Sequence, residues 1–95
     1  MIFVLMKRER VTWDDISFLS RGKHRSEVLK LLQKPQTPTL IKKTTHLHFN
    51  IVSRAILELE KEGFVRCLNP TQKLIRFYHI TPKGKLALQK IEALK

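Results

Sequence analysis

Residues 37–81, TPTLIKKTTHLHFNIVSRAILELEKEGFVRCLNPTQKLIRFYHIT, constrain this chain more than any other stretch. Thr37 followed by Pro38 signals a helix start. The threonine hydroxyl can accept from an orphan N–H of the first turn, and proline loses nothing at the first helical position. This helix is expected over 38 to about 45 and breaks at His46-Leu47-His48. Beyond the break, Val52, Ala55, Ile56 and Leu59 recur on one helical stripe, and Gly63 offers the left-handed residue that closes a helix over 49–62. Residues 64–68 and 74–81 are rich in β-branched and aromatic side chains and flank Asn69-Pro70-Thr71-Gln72-Lys73, a turn-forming cluster. The predicted order is short helix, tight turn, longer helix, hairpin. A helix held across its neighbour by a short turn fits a DNA major groove, and a basic hairpin beside it can reach the flanking backbone.

The flanks supply the remaining helices. Residues 13–19 begin with Asp14 and Asp15, suited to a helix first turn, and carry Ile16 and Leu19; Ser20 or Gly22 ends the run. KHRSEVLKLLQK sets Val28, Leu29 and Leu32 on one core-facing side until Pro35 stops it. Thr81-Pro82 caps a last helix to about residue 94, whose expected stripe is Leu86, Leu88, Ile91 and Leu94. The opening MIFVLM fits a strand, a helical start or a partner-binding tail. It is too short to span a membrane and is followed by charge rather than a cleavage site, so neither a transmembrane helix nor a signal peptide is expected.

A chain of 95 residues makes one small domain. Three parts are expected: an extension over 1–19, a core over 20–81 and a final helix over 82–95. Ile2, Phe3, Val4, Leu5, Ile16, Phe18, Leu88, Ile91 and Leu94 exceed what so small a core can cover, so the extension and the final helix are expected to form a homodimer interface.

Lys and Arg total 19 against 8 Asp and Glu, a net charge of +11 that favours a polyanionic partner. The charges are segregated as a binding face requires: no Asp or Glu occurs over 28–57 or 63–91, and Glu58, Glu60 and Glu62 cluster between. Cys67 is the only cysteine, which precludes an intramolecular disulfide and fits a reducing, cytoplasmic setting. Its place in VRCL suits a small buried hydrophobe.

FNIVSRAILELEKEGFVRCLNP and YHITPKGKLAL resemble winged helix-turn-helix transcription regulators of the MarR-like and ArsR-like kind, especially small archaeal members, over roughly residues 20–90. The resemblance implies a mainly α fold with a β-hairpin wing, and a dimer on double-stranded DNA with the recognition helix in the major groove and the wing near the adjoining minor groove. It carries DNA contact onto His48, Asn50, Ser53 and Arg54 at the start of the recognition helix, with Lys43 before it and Lys73 and Arg76 in the wing. Their chemistry agrees: Asn pairs with adenine, Arg with guanine or phosphate, and Ser with either a base or a phosphate. Three departures stand out. Lys42 replaces a small residue packed against the recognition helix, so either a looser interhelical crossing or a snorkelling lysine stem is expected; His46 replaces the turn glycine; Leu40 and Leu57 are apolar where the family is usually polar.

Other chemistry finds weaker support. His46-x-His48, with His24, His79 and Cys67, lacks zinc-ligand spacing, so no metal or other cofactor is expected. The chain has no Gly-rich phosphate loop and no nucleophile elbow, and the adjacent Asp14 and Asp15 do not converge on one helical face, so it reads as a non-enzyme. The expected role is a sequence-specific DNA-binding regulator; the alternative is non-specific nucleic-acid packaging or a protein-interaction module. The sequence does not identify a small-molecule effector. The segregated charge generates a test: if each protomer neutralises about four to six phosphates, log K should fall with log salt at a slope of roughly −4 to −5 per protomer. A nearly flat dependence removes DNA as the main ligand.

Overall fold

A computed structural model describes residues 11–94, in which five helices and a two-stranded antiparallel sheet follow one another as α1 (Trp13–Arg21), α2 (Arg25–Leu31), α3 (Pro38–Thr45), α4 (Phe49–Lys61), β1 (Val65–Cys67), β2 (Tyr78–Ile80) and α5 (Pro82–Ala93). The expected extension's MIFVLM lies outside the described residues. No helix among the described residues is long and apolar enough to cross a membrane.

Three of the helix starts are capped by threonine hydroxyls. Thr12 opens α1 with a capping box: its Oγ1 accepts from Asp15 N at 3.2 Å while its own N–H donates to Asp15 Oδ2 at 3.0 Å. Such caps contribute about 1 kcal/mol each. Thr37 and Thr81 accept from Leu40 N and Gly84 N, with Pro38 and Pro82 next in the chain as expected.

The core extends further toward the N-terminus than residue 20. Ile16 and Leu19 are buried where α1 packs on α2 and α5, so residues 13–19 are part of the core rather than an appendage. Leu88 and Ile91 are buried in the same core, and Phe18 stacks on Phe64 with ring centroids 5.9 Å apart. Of the side chains expected at an interface, Ile16, Phe18, Leu88 and Ile91 are therefore covered largely from within the chain. The buried stripe of α5 is Gly84, Ala87, Leu88 and Ile91; Leu86 and Leu94, assigned to it from sequence, face outward.

The strands are shorter than the sequence suggests. β1 and β2 pair Val65 with Ile80, Arg66 with His79 and Cys67 with Tyr78, and Leu68 N donating to Phe77 O at 2.7 Å adds one step. Residues 74–77, expected in the second strand, lie in the connecting loop. On its other side β2 is joined to the α2–α3 connection: Gln36 and Tyr78 exchange backbone bonds of 3.0 and 2.8 Å, and Ile80 N donates to Leu32 O at 2.8 Å.

One corner locks helices to hairpin. Gly63, at φ +84, ends α4 in the left-handed region, and Thr81 returns to it, donating from Oγ1 to Gly63 O at 2.7 Å and from N to Phe64 O at 2.9 Å. Lys83 Nζ donates to Glu62 O at 2.9 Å, placing a cation at the α4 C-terminus, and lies 3.6 Å from Asp15 Oδ1. Gly84 sits so close to this corner that a Cβ would fall on the Phe64 carbonyl oxygen and within 2.7 Å of Ile80 Cγ1. Gly84→Ala should therefore cost about 1–3 kcal/mol of stability in a denaturant melt, the usual range for overpacking; an unchanged midpoint would contradict this close approach.

Candidate nucleic-acid interface

The α3–α4 turn sets the direction of α4. His46 adopts φ +63, the left-handed conformation expected of it in place of glycine, and its N–H donates to Lys42 O at 2.8 Å. Leu47 N donates to Thr45 Oγ1 at 3.2 Å, and extended His48 then begins α4 without a side-chain capping bond. Packing fixes the helix's rotation. Val52, Ala55, Ile56 and Leu59 are buried against a core to which α2 contributes Val28 and Leu29, its C-cap Leu32, and α3 Ile41. Lys42 remains exposed, and the apolar α3 side chain in the core is Ile41.

With one stripe buried, the opposite one faces solvent. Asn50, Ser53, Arg54, Leu57, Glu58 and Lys61 line a shallow open groove along α4. The structure thus brings three expected contact residues together: Asn50 and Arg54 exposed, Ser53 half-buried beside them. His48 is exposed at the helix start, and Lys43 is exposed in the last turn of α3, both outside that groove. Leu57 occupies the middle of the helix face and is 54% exposed.

Arg25 was not singled out by the sequence reading. Its Nη1 donates to Phe18 O at 2.6 Å, its Nε donates to Glu58 Oε1 at 3.2 Å, and its guanidinium lies 3.9 Å from the Phe18 ring centroid. One side chain therefore ties α1, α2 and α4 together and occupies an acid bordering the groove. Nothing local signals this, because the partners are 33 residues apart.

The 68–77 loop is held by its own side chains. Asn69 Oδ1 accepts from Phe77 N at 2.9 Å and from Cys67 Sγ at 3.6 Å, while Nδ2 donates to Ile75 O at 2.8 Å. Arg76 donates from Nε to Gln72 O at 2.8 Å and from Nη2 to Pro70 O at 2.9 Å. Arg76, expected to contact phosphate, thus uses two donors to shape the loop, and its charge remains available. The hydrogen-bonding influence of the Tyr78 side chain raises its pKa further above the ordinary guanidinium value, so it stays charged. Lys73 is exposed at the loop tip, beside Leu74 and Ile75, which are 95% and 63% exposed.

Among the described residues, no group of three or more His, Cys, Asp or Glu side chains gathers as a metal site would require. No protein-family model, curated protein or solved structure matches the chain. The loop geometry yields a prediction: Asn69→Ala removes the acceptor of Phe77 N–H and should speed hydrogen exchange at Phe77 by about two- to tenfold, the effect of one modest hydrogen bond. Unchanged exchange would mean that the loop holds its shape without this side chain.

Proposed function

We propose that the chain is a winged helix-turn-helix transcription regulator that binds double-stranded DNA sequence-specifically as a homodimer. In this reading α4 is the recognition helix and the 68–77 loop, with the strands it joins, is the wing. The observation that carries the proposal is the solvent-facing stripe of α4, where Asn50, Ser53 and Arg54 stand together while the opposite stripe is buried. Two of these have side chains that pair bidentately with base edges, and the third accepts or donates to either a base or a phosphate. Lys43, Lys73 and Arg76 supply charge from α3 and the wing to the sugar-phosphate chain.

A second reading draws on Leu57. An exposed leucine amid the polar stripe suits a protein groove, so a protein-interaction module is the alternative.

Two substitutions separate the readings. Asn50→Ala should lose about 1–3 kcal/mol on a sequence selected from a random duplex pool and much less on random DNA, as expected for one base contact. Lys73→Ala should weaken binding to all sequences alike and reduce the salt slope by about one. Equal losses by Asn50→Ala on selected and random duplexes would remove its reading role.

The homodimer is assigned to the apolar cleft between the start of α1 and the end of α5, lined by Val11, Trp13, Ile16, Ala93 and Leu94, where Trp13 is 77% exposed. Truncation at Ser20 would delete α1 and with it part of the core, so point changes are the cleaner probe. Trp13→Arg combined with Leu94→Arg should convert a dimer into a monomer in sedimentation at tens of micromolar without unfolding it. A wild-type chain already monomeric at that concentration would refute the dimer.

A further inference from the structure

Leu74 has no structural role in the fold. It is 95% exposed, more than any other large apolar side chain among the described residues, although the loop carrying it is well held. Asn69 and Arg76 clamp the backbone on either side of the tip through bonds to Ile75 O, Phe77 N, Gln72 O and Pro70 O of 2.8 to 2.9 Å. The leucine is presented on a preformed support, so little ordering is needed when it meets a partner. The chemistry of its neighbours narrows that partner. Lys73 precedes it, the charged Arg76 follows, and no acid occurs over 63–91. An apolar tip between two cations matches a surface that is anionic outside and apolar within. Duplex DNA has that character at the minor groove, where phosphates flank stacked bases.

We propose that Leu74 is a wedge that enters a base step from the minor groove and bends the duplex. The inference rests on the DNA-binding reading above and adds a mechanical consequence to it. An inserted leucine partly unstacks one step and kinks the helix toward the major groove, away from the wing. Lys73 and Arg76 neutralise the phosphates on either side of the opened groove. Specificity follows without further base contacts, because TA and CA/TG steps unstack more readily than others and are favoured beneath the tip.

The test uses the full chain and a mixed-sequence duplex of about 30 base pairs with TA steps, labelled at its ends with a donor and an acceptor. Saturating wild-type protein should raise energy transfer as the ends approach. Leu74→Ala should bind about tenfold more weakly or less, keep the salt slope, and leave energy transfer at the free-duplex value; Leu74→Phe should restore the bend. The side chain makes no core contact, so both variants should melt at the wild-type temperature. If wild type binds without bending, or Leu74→Ala bends the duplex as well as wild type, the wedge is wrong and the DNA-binding reading survives; this is also the result expected if Leu74 serves a protein contact. If wild type binds no duplex at low salt, both are overturned.

Discussion

One stripe of α4 is sealed into the core and fixes how that helix sits. Val52, Ala55, Ile56 and Leu59 all enter the core, and truncating one of the larger aliphatic residues there to alanine would cost about 2–5 kcal/mol. The opposite stripe carries no such cost, since surface changes are usually worth less than about 0.5 kcal/mol. Packing therefore sets the helix's rotation and leaves the other face exposed. Arg25 reinforces that rotation by joining Phe18 O to Glu58 across three helices.

The proposed binding surface is built in two ways. On α4, side chains are placed by a helix whose position the core determines. In the 68–77 loop there is no core to do this, and Asn69 and Arg76 hold the backbone instead. The two parts suit different tasks. A net charge of +11 speeds encounter with a polyanion and supplies salt-dependent affinity, but it carries no sequence information. In the proposed account, discrimination comes from Asn50, Ser53 and Arg54, and retention from Lys43, Lys73 and Arg76. The acids of the α4 C-terminal half limit where that positive field is strongest. Glu58 is engaged by Arg25, whereas the α4 start and the loop have no acid in their own sequence.

Features governed by neighbouring residues were legible in the sequence. Thr37-Pro38 and Thr81-Pro82 mark helix starts because a cap needs only a hydroxyl and a missing N–H, and Gly63 marks a stop because a left-handed residue favours glycine. The α4 stripe was visible as a 3.6-residue period. The Thr12-x-x-Asp15 capping box is equally local, a hydroxyl three residues before a carboxylate, and marks the start of α1. What could not be read joins residues distant along the chain. Neither Arg25 with Glu58 nor Gln36 with Tyr78 leaves a local period. The second strand was overextended because Leu74, Ile75 and Phe77 have strand-forming side chains, while Asn69 and Arg76 wind that backbone into a loop. Among the candidate contacts, the family resemblance assigns Asn50, Ser53 and Arg54 to the start of the recognition helix, but their grouping along one open groove and the use of Arg76 as a clamp are visible only in three dimensions.

In the proposed function the outward stripe of α4 meets DNA, and amide chemical-shift mapping during titration with a selected duplex reads that contact residue by residue. The predicted result is a contiguous set of perturbations over His48, Asn50, Ser53, Arg54 and Leu57, joined by Lys73 to Arg76 in the loop, with the buried α2 residues Val28 and Leu29 little affected. Perturbations confined to the cleft around Trp13 and Leu94, or none at saturating duplex, would contradict it.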